Sequence, residues 1–118
     1  MKQLHRFAHR SEIPEKGFLI RTVNKRSVGV MRLGDRFIAV LNHCPHAGAP
    51  VCQGQFTGTY FWSDERHALD LDKERPVIRC PWHGWEFDVE SGAALFPSPR
   101  RLAHLETTLE DDHIYIRI

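Results

Sequence analysis

Two short strings in this 118-residue chain carry side chains able to take up a transition metal: Cys44-Pro45-His46-Ala47-Gly48 and Cys80-Pro81-Trp82-His83-Gly84-Trp85. Each offers one thiolate and one imidazole, as C-x-H in the first and C-x-x-H in the second. Sulfur and nitrogen in equal numbers suit zinc or iron–sulfur chemistry, not calcium or magnesium, which take oxygen. The order narrows this further. Zinc fingers commonly pair Cys with Cys and His with His, whereas here each string supplies one of each. That distribution serves a two-iron cluster with two cysteines on one iron and two histidines on the other. Zinc on the same four residues is the competing assignment, and colour separates them, since a zinc site is colourless.

The segments that must position these strings read as strands and turns. Phe18–Val23 follows Gly17, and Val28–Leu33 and Phe37–Leu41 flank Gly34-Asp35, which predicts a hairpin. Val77-Ile78-Arg79 predicts a short strand running into Cys80. Beyond the second string, Trp85, Phe87 and Val89 alternate with Glu86, Asp88 and Glu90. Leu105, Thr107 and Leu109, then Ile114, Ile116 and Ile118, form a last pair across the acidic turn Glu110-Asp111-Asp112. No segment carries a long helical period. The predicted class is all-β, an antiparallel sandwich or barrel, with both strings at breaks between strands. Pro45 and Pro81 stiffen those breaks, while Gly48 and Gly84 let backbone N–H groups approach a buried ligand.

Bulk properties set the limits. The length predicts one domain, 1–118, and 42% hydrophobic with 26% charged residues is an ordinary globular composition. A formal charge of +1 argues against nucleic acid or an acidic membrane surface as partner. The first ten residues have no apolar signal-peptide region, and no stretch is long enough to cross a bilayer. These features predict a cytoplasmic protein without a membrane. With Cys44 and Cys80 assigned to metal, Cys52 has no disulfide partner and is expected to be a small buried hydrophobe. His43 reads as a loop residue beside the first string, and His5, His9, His67, His104 and His113 have no spacing that links them.

From Asn42 to Pro99 the chain resembles the Rieske [2Fe–2S] family. The loops Cys-Pro-His-x-Gly and Cys-Pro-Trp-His-Gly-Trp-x-Phe-Asp are similar to those of Rieske ferredoxins and of the Rieske domains of ring-hydroxylating oxygenases. The resemblance implies an all-β Rieske fold with a small cluster-binding subdomain (about 43–99) on a basal β part (about 1–42 and 100–118). It implies one [2Fe–2S] cluster per chain, with Cys44 and Cys80 on one iron and His46 and His83 on the other. Around it would stand Gly48, Gly84, Trp82 and Trp85, both indoles shielding the cluster from water, and the proline-bearing loop of Pro97 and Pro99. Two neutral imidazoles in place of two thiolates leave the cluster less negative. Rieske potentials therefore lie at about −150 to +300 mV, against about −400 mV for plant-type ferredoxins.

Departures refine the resemblance. Respiratory Rieske proteins carry serine and tyrosine hydroxyls where this chain has Trp85 and Phe87, and a disulfide whose places here fall near Pro50 and at Trp82. The resemblance therefore implies a potential near the bottom of the range. It also implies a small carrier that takes electrons from a flavin-containing reductase and passes them to a terminal oxygenase. The chain ends about where a Rieske domain would, which predicts an electron carrier and not an enzyme. The alternatives are a Rieske subunit fixed in a complex, such as a nitrite reductase small subunit, and a zinc-binding structural module. One stretch stands apart. Between His46 and Cys80 lie 33 residues, and the excess, Thr57–Arg75, is polar and mixed in charge. It is expected to be a surface insertion, which costs little stability.

Overall fold

The computed structural model describes residues 2–45, 48–82 and 84–118. Among the described residues nine strands form in chain order: β1 (Leu4–His9), β2 (Leu19–Val23), β3 (Arg26–Leu33), β4 (Arg36–Leu41), β5 (Gln55–Ser63), β6 (Ala68–Arg79), β7 (Glu86–Asp88), β8 (His104–Glu110) and β9 (His113–Arg117). Single 3-10 turns at Arg10–Glu12 and Val51–Gln53 are the helical elements among the described residues. Among the described residues no helix is long and apolar enough to cross a membrane.

Six strands make one sheet in the order β1-β9-β8-β4-β3-β2, and three make a second, β5-β6-β7. Every pairing is antiparallel. The Gly34-Asp35 hairpin forms as its sequence requires, with Leu33 opposite Arg36. Arg21 on β2 donates to the Phe7 carbonyl on β1 at 3.0 Å, tying together the two edges of the larger sheet.

The centre of the larger sheet is buried on both faces. Val28, Val30 and Ala39 turn to a core shared with Phe7, Ile114 and Ile116. Their neighbours Met31, Ile38 and Val40 turn to a second core shared with Val51, Ile78, Phe87 and the three cysteines. Strict alternation along a strand allows this division. The second core lies between the two sheets and is where both cysteine loops originate.

The stretch expected as a surface insertion forms strand on both sides of a turn at 64–67. Gln55 pairs with Arg79, and the ladder continues to Ser63 opposite Ala68, with a shift between Thr57 and Thr59. The hairpin thus extends the strand that delivers Cys80. His67, at φ +49°, makes its tight turn. The short strand expected at Val77–Arg79 is the last quarter of this twelve-residue β6.

Candidate metal centre

The first loop leaves β4 at Leu41, and the second joins β6 to β7. They share one backbone plan. The Cys44 N–H donates to the Ala49 carbonyl at 2.7 Å, and the Gly48 N–H to the Cys44 carbonyl at 2.8 Å. The Cys80 N–H donates to the Trp85 carbonyl at 2.7 Å, and the Gly84 N–H to the Cys80 carbonyl at 3.1 Å. Each ring turns at its glycine, with φ +76° at Gly48 and +71° at Gly84. A side chain there costs about 1–2 kcal/mol, so glycine is the fitting residue. On this common frame His46 stands two residues after its cysteine and His83 three. Both histidines, with Ala47, lie outside the described residues.

Different neighbours hold the two rings. Asn42 secures the first: its N–H donates to the Ser27 carbonyl at 2.9 Å, its Nδ2 to Ser27 Oγ at 3.1 Å, and its Oδ1 accepts from the Cys52 N–H at 2.9 Å. The His43 ring lies against Gly48, its Cε1 3.0 Å from where a Cβ would stand. Arg100, from the loop after Pro97 and Pro99, donates to the Pro45 carbonyl at 3.1 Å. The second ring is closed by the Arg79–Glu86 strand pair. The Arg79 guanidinium lies against Gly84, with Nε and Nη2 each 3.0 Å from the would-be Cβ. Trp85 meets Phe96 edge-on at 4.4 Å. Gly54 lets the two halves close: a Cβ there would lie 1.9 Å from the Arg79 carbonyl oxygen.

Cys44 is fully buried and Cys80 is 2% exposed, in the same core as Phe87 and Val51. None of the three cysteines is in a disulfide. Two enclosed soft thiols, each on a ring opened by glycine, suit half the ligand set of a [2Fe–2S] group. Among the described residues no three metal-binding side chains gather, with His46 and His83 lying outside them. Cys52 is buried against Gly29, whose would-be Cβ lies 2.4 Å from its Sγ, and burial pushes its thiol up to about 12. It packs as the small hydrophobe its position suggests.

The two tryptophans expected to act alike differ. Trp85 packs inward on Phe96, whereas Trp82 is 59% exposed. Pro97 and Pro99 are exposed, and their loop reaches the first ring through Arg100. Arg79, Arg100 and Phe96 gave no signal in the sequence, because each acts through a tertiary contact. His104, which had no evident partner, makes a 2.8 Å hydrogen bond to the Val89 carbonyl.

The Rieske [2Fe–2S] domain family matches residues 3–106. Ferredoxin CarAc of Metapseudomonas resinovorans is 31% identical over 101 residues, 82% of this chain and 78% of that protein. The N,N-dimethyl phenylurea N-demethylase subunit alpha of Sphingobium sp. (strain YBL2) is 34% identical over 79% of this chain, which spans only 17% of that subunit. The chain likewise spans 17% of the methylxanthine N1-demethylase NdmA of Pseudomonas putida. In fold it is similar to the ferredoxin of carbazole 1,9a-dioxygenase from Nocardioides aromaticivorans IC177, with TM-score 0.70, 23% identity and coverage of 97% and 96% of the two chains. It is equally similar to the putative NADH-dependent nitrite reductase small subunit from Mycobacterium tuberculosis, with TM-score 0.72, 14% identity and coverage of 100% and 96%. With the family matched over most of its length, the chain belongs to the Rieske [2Fe–2S] domain family, and its cofactor is one [2Fe–2S] cluster.

Proposed function

We propose that the chain is a Rieske-type carrier of single electrons between a flavin-containing reductase and a terminal oxygenase. The twin rings carry the reading, because two loops of one backbone plan present two buried thiols to one core. Cys44 and Cys80 would hold one iron of the cluster, and His46 and His83 the other. The bound cluster supplies one-electron chemistry at a potential the protein tunes. The chain's own part is to enclose the thiols, fix the rings and leave the histidine-bearing side toward a partner. Residues 43–99 form the cluster-binding part of a single domain, and 1–42 with 100–118 its base.

The oxygenase acceptor draws support from a fold relative described as a complex of reduced oxygenase and oxidized ferredoxin in carbazole 1,9a-dioxygenase. Cysteines assigned to metal and core suit a reducing cytoplasm. A second reading, a subunit fixed in an oxidoreductase complex, draws on the fold likeness to the nitrite reductase small subunit. Gel filtration of native extract tests the choice, since a carrier elutes at the size of the chain alone and a fixed subunit with its complex. Iron and labile-sulfide analysis tests the cofactor, and zinc without sulfide would overturn it.

A further inference from the structure

The two rings are bordered by positive charge. Arg79 lies over Gly84 of the second ring, and Arg100 is bound to Pro45 of the first. Arg101 stands beside Arg100 and donates to the Ser91 carbonyl at 3.3 Å. Hydrogen bonds to carbonyls leave the guanidinium charge in place. Among the described residues, neither Arg79 nor Arg101 has a carboxylate within ion-pair distance. In the sequence of 76–86 and 95–101 the one carboxylate is Glu86, while Asp88 and Glu90 between them pair with Arg75 and Arg36. The chain as a whole is close to neutral at +1, so these arginines are balanced by carboxylates elsewhere in the sequence. The acidic turn Glu110-Asp111-Asp112 lies at the far end of β8 from His104, the end that borders Gly92 and the loops.

The same face exposes apolar surface. Among the described residues, Trp82 and Leu95 are exposed large hydrophobics, at 59% and 47%. Leu95 also lines a groove with Gly84, Trp85, Glu86 and Phe96. Exposed apolar surface beside arginines is the composition of a protein-binding patch, with the charges steering encounter and the apolar centre holding the complex.

We propose that this face docks a redox partner whose own surface presents carboxylates around an apolar patch. Arg79 and Arg100 would meet the carboxylates, and Trp82 with Leu95 the apolar centre. The inference rests on the cluster reading and names the partner's charge.

Stopped-flow oxidation of the reduced holoprotein tests it with two probes of opposite charge, ferricyanide and tris(phenanthroline)cobalt(III). The expected ferricyanide rate falls about fivefold between roughly 10 and 300 mM ionic strength, while the cobalt rate rises. Arg79→Gln should lower the low-salt ferricyanide rate by about twofold or more, and Arg79→Lys should restore it. Arg10→Gln removes the same charge beside Asp112 at the far end and should change the rate little. Equal effects of Arg79→Gln and Arg10→Gln would overturn the proposal by assigning the response to net charge. The reverse salt dependence would overturn it in favour of a basic partner. Holoprotein preparations without visible absorbance would instead overturn the cluster reading on which it rests.

Discussion

The two cysteine rings are alike inside and unlike outside. Both close from the cysteine N–H to the carbonyl five residues on, and both turn at a left-handed glycine. Yet the second is the end of a β-hairpin, continuous with the β6–β7 ladder, while the first leaves β4 and has no partner strand beyond it. A hairpin inherits its geometry from the ladder below it. The first ring must be tied down by side chains, and Asn42, His43 and Arg100 do so. One backbone device can therefore be supported by secondary structure or by tertiary contacts, and the two supports fail differently.

The largest expected effect treats the rings equally. Cys44→Ser and Cys80→Ser should each abolish cluster assembly, read as iron content near zero and lost visible absorbance. Retention of a full cluster by either variant would remove that cysteine from the ligand set.

Gly54→Ala should disturb the second ring through its backbone, because the new Cβ meets the Arg79 carbonyl at 1.9 Å. Overpacking of this kind costs about 1–3 kcal/mol, measurable by denaturant melts. Amide NMR shifts should concentrate at Arg79–Glu86. Shifts centred on Cys44 instead would break the contrast drawn between the rings.

Asn42→Ala should do the converse. It leaves the Cys52 N–H without its acceptor and cuts the Nδ2 bond to Ser27 Oγ, while the backbone bond to the Ser27 carbonyl stays. A loss of about 1–2 kcal/mol is expected, with Asn42→Asp recovering part through the retained oxygen. An unchanged melt would show that the first ring needs no such tie.

The last effect is a pH dependence from the core both rings share, absent at neutral pH. Burial raises Cys52 from an ordinary thiol value of 9.0 to about 12 in the folded protein. Above the unfolded value the unfolded chain binds fewer protons than the folded one, so stability falls as pH rises. Its contribution is complete below pH 9.0 and is lost through about 12. Subtracting the Cys52→Ala profile from that of the unaltered protein should isolate this slope, and parallel profiles would contradict it. Native Cys52 should also resist iodoacetamide at neutral pH and react on unfolding.

The loops were legible because metal chemistry constrains residue type and spacing, and the strands around them because apolar alternation marks a half-buried surface. Ile114, Ile116 and Ile118 announce β9 and the residue after it in this way. The β5–β6 hairpin was not legible, since Asp70-Leu71-Asp72-Lys73-Glu74-Arg75 is charged as loops are. Its strand pairing instead follows from continuity with Val77–Arg79, a tertiary fact, although Thr57, Thr59, Tyr60, Phe61 and Trp62 are residues that strands favour. β1 was missed for a similar reason, as His5, Arg6 and His9 interrupt its apolar pattern. Arg79 and Arg100 could not be found at all, because a guanidinium resting on a glycine or a carbonyl leaves no trace in spacing. The equivalence of the rings was partly visible in the shared Cys-to-Gly interval, and the hydrogen bonds give it physical content.

Pulsed EPR of the dithionite-reduced protein bears most directly on the ligand set. A rhombic signal with hyperfine coupling to two imidazole nitrogens is expected, with one coupling lost in His46→Cys and the other in His83→Cys. A reduced cluster without nitrogen coupling, or a colourless zinc protein, would contradict a cluster held by Cys44, His46, Cys80 and His83.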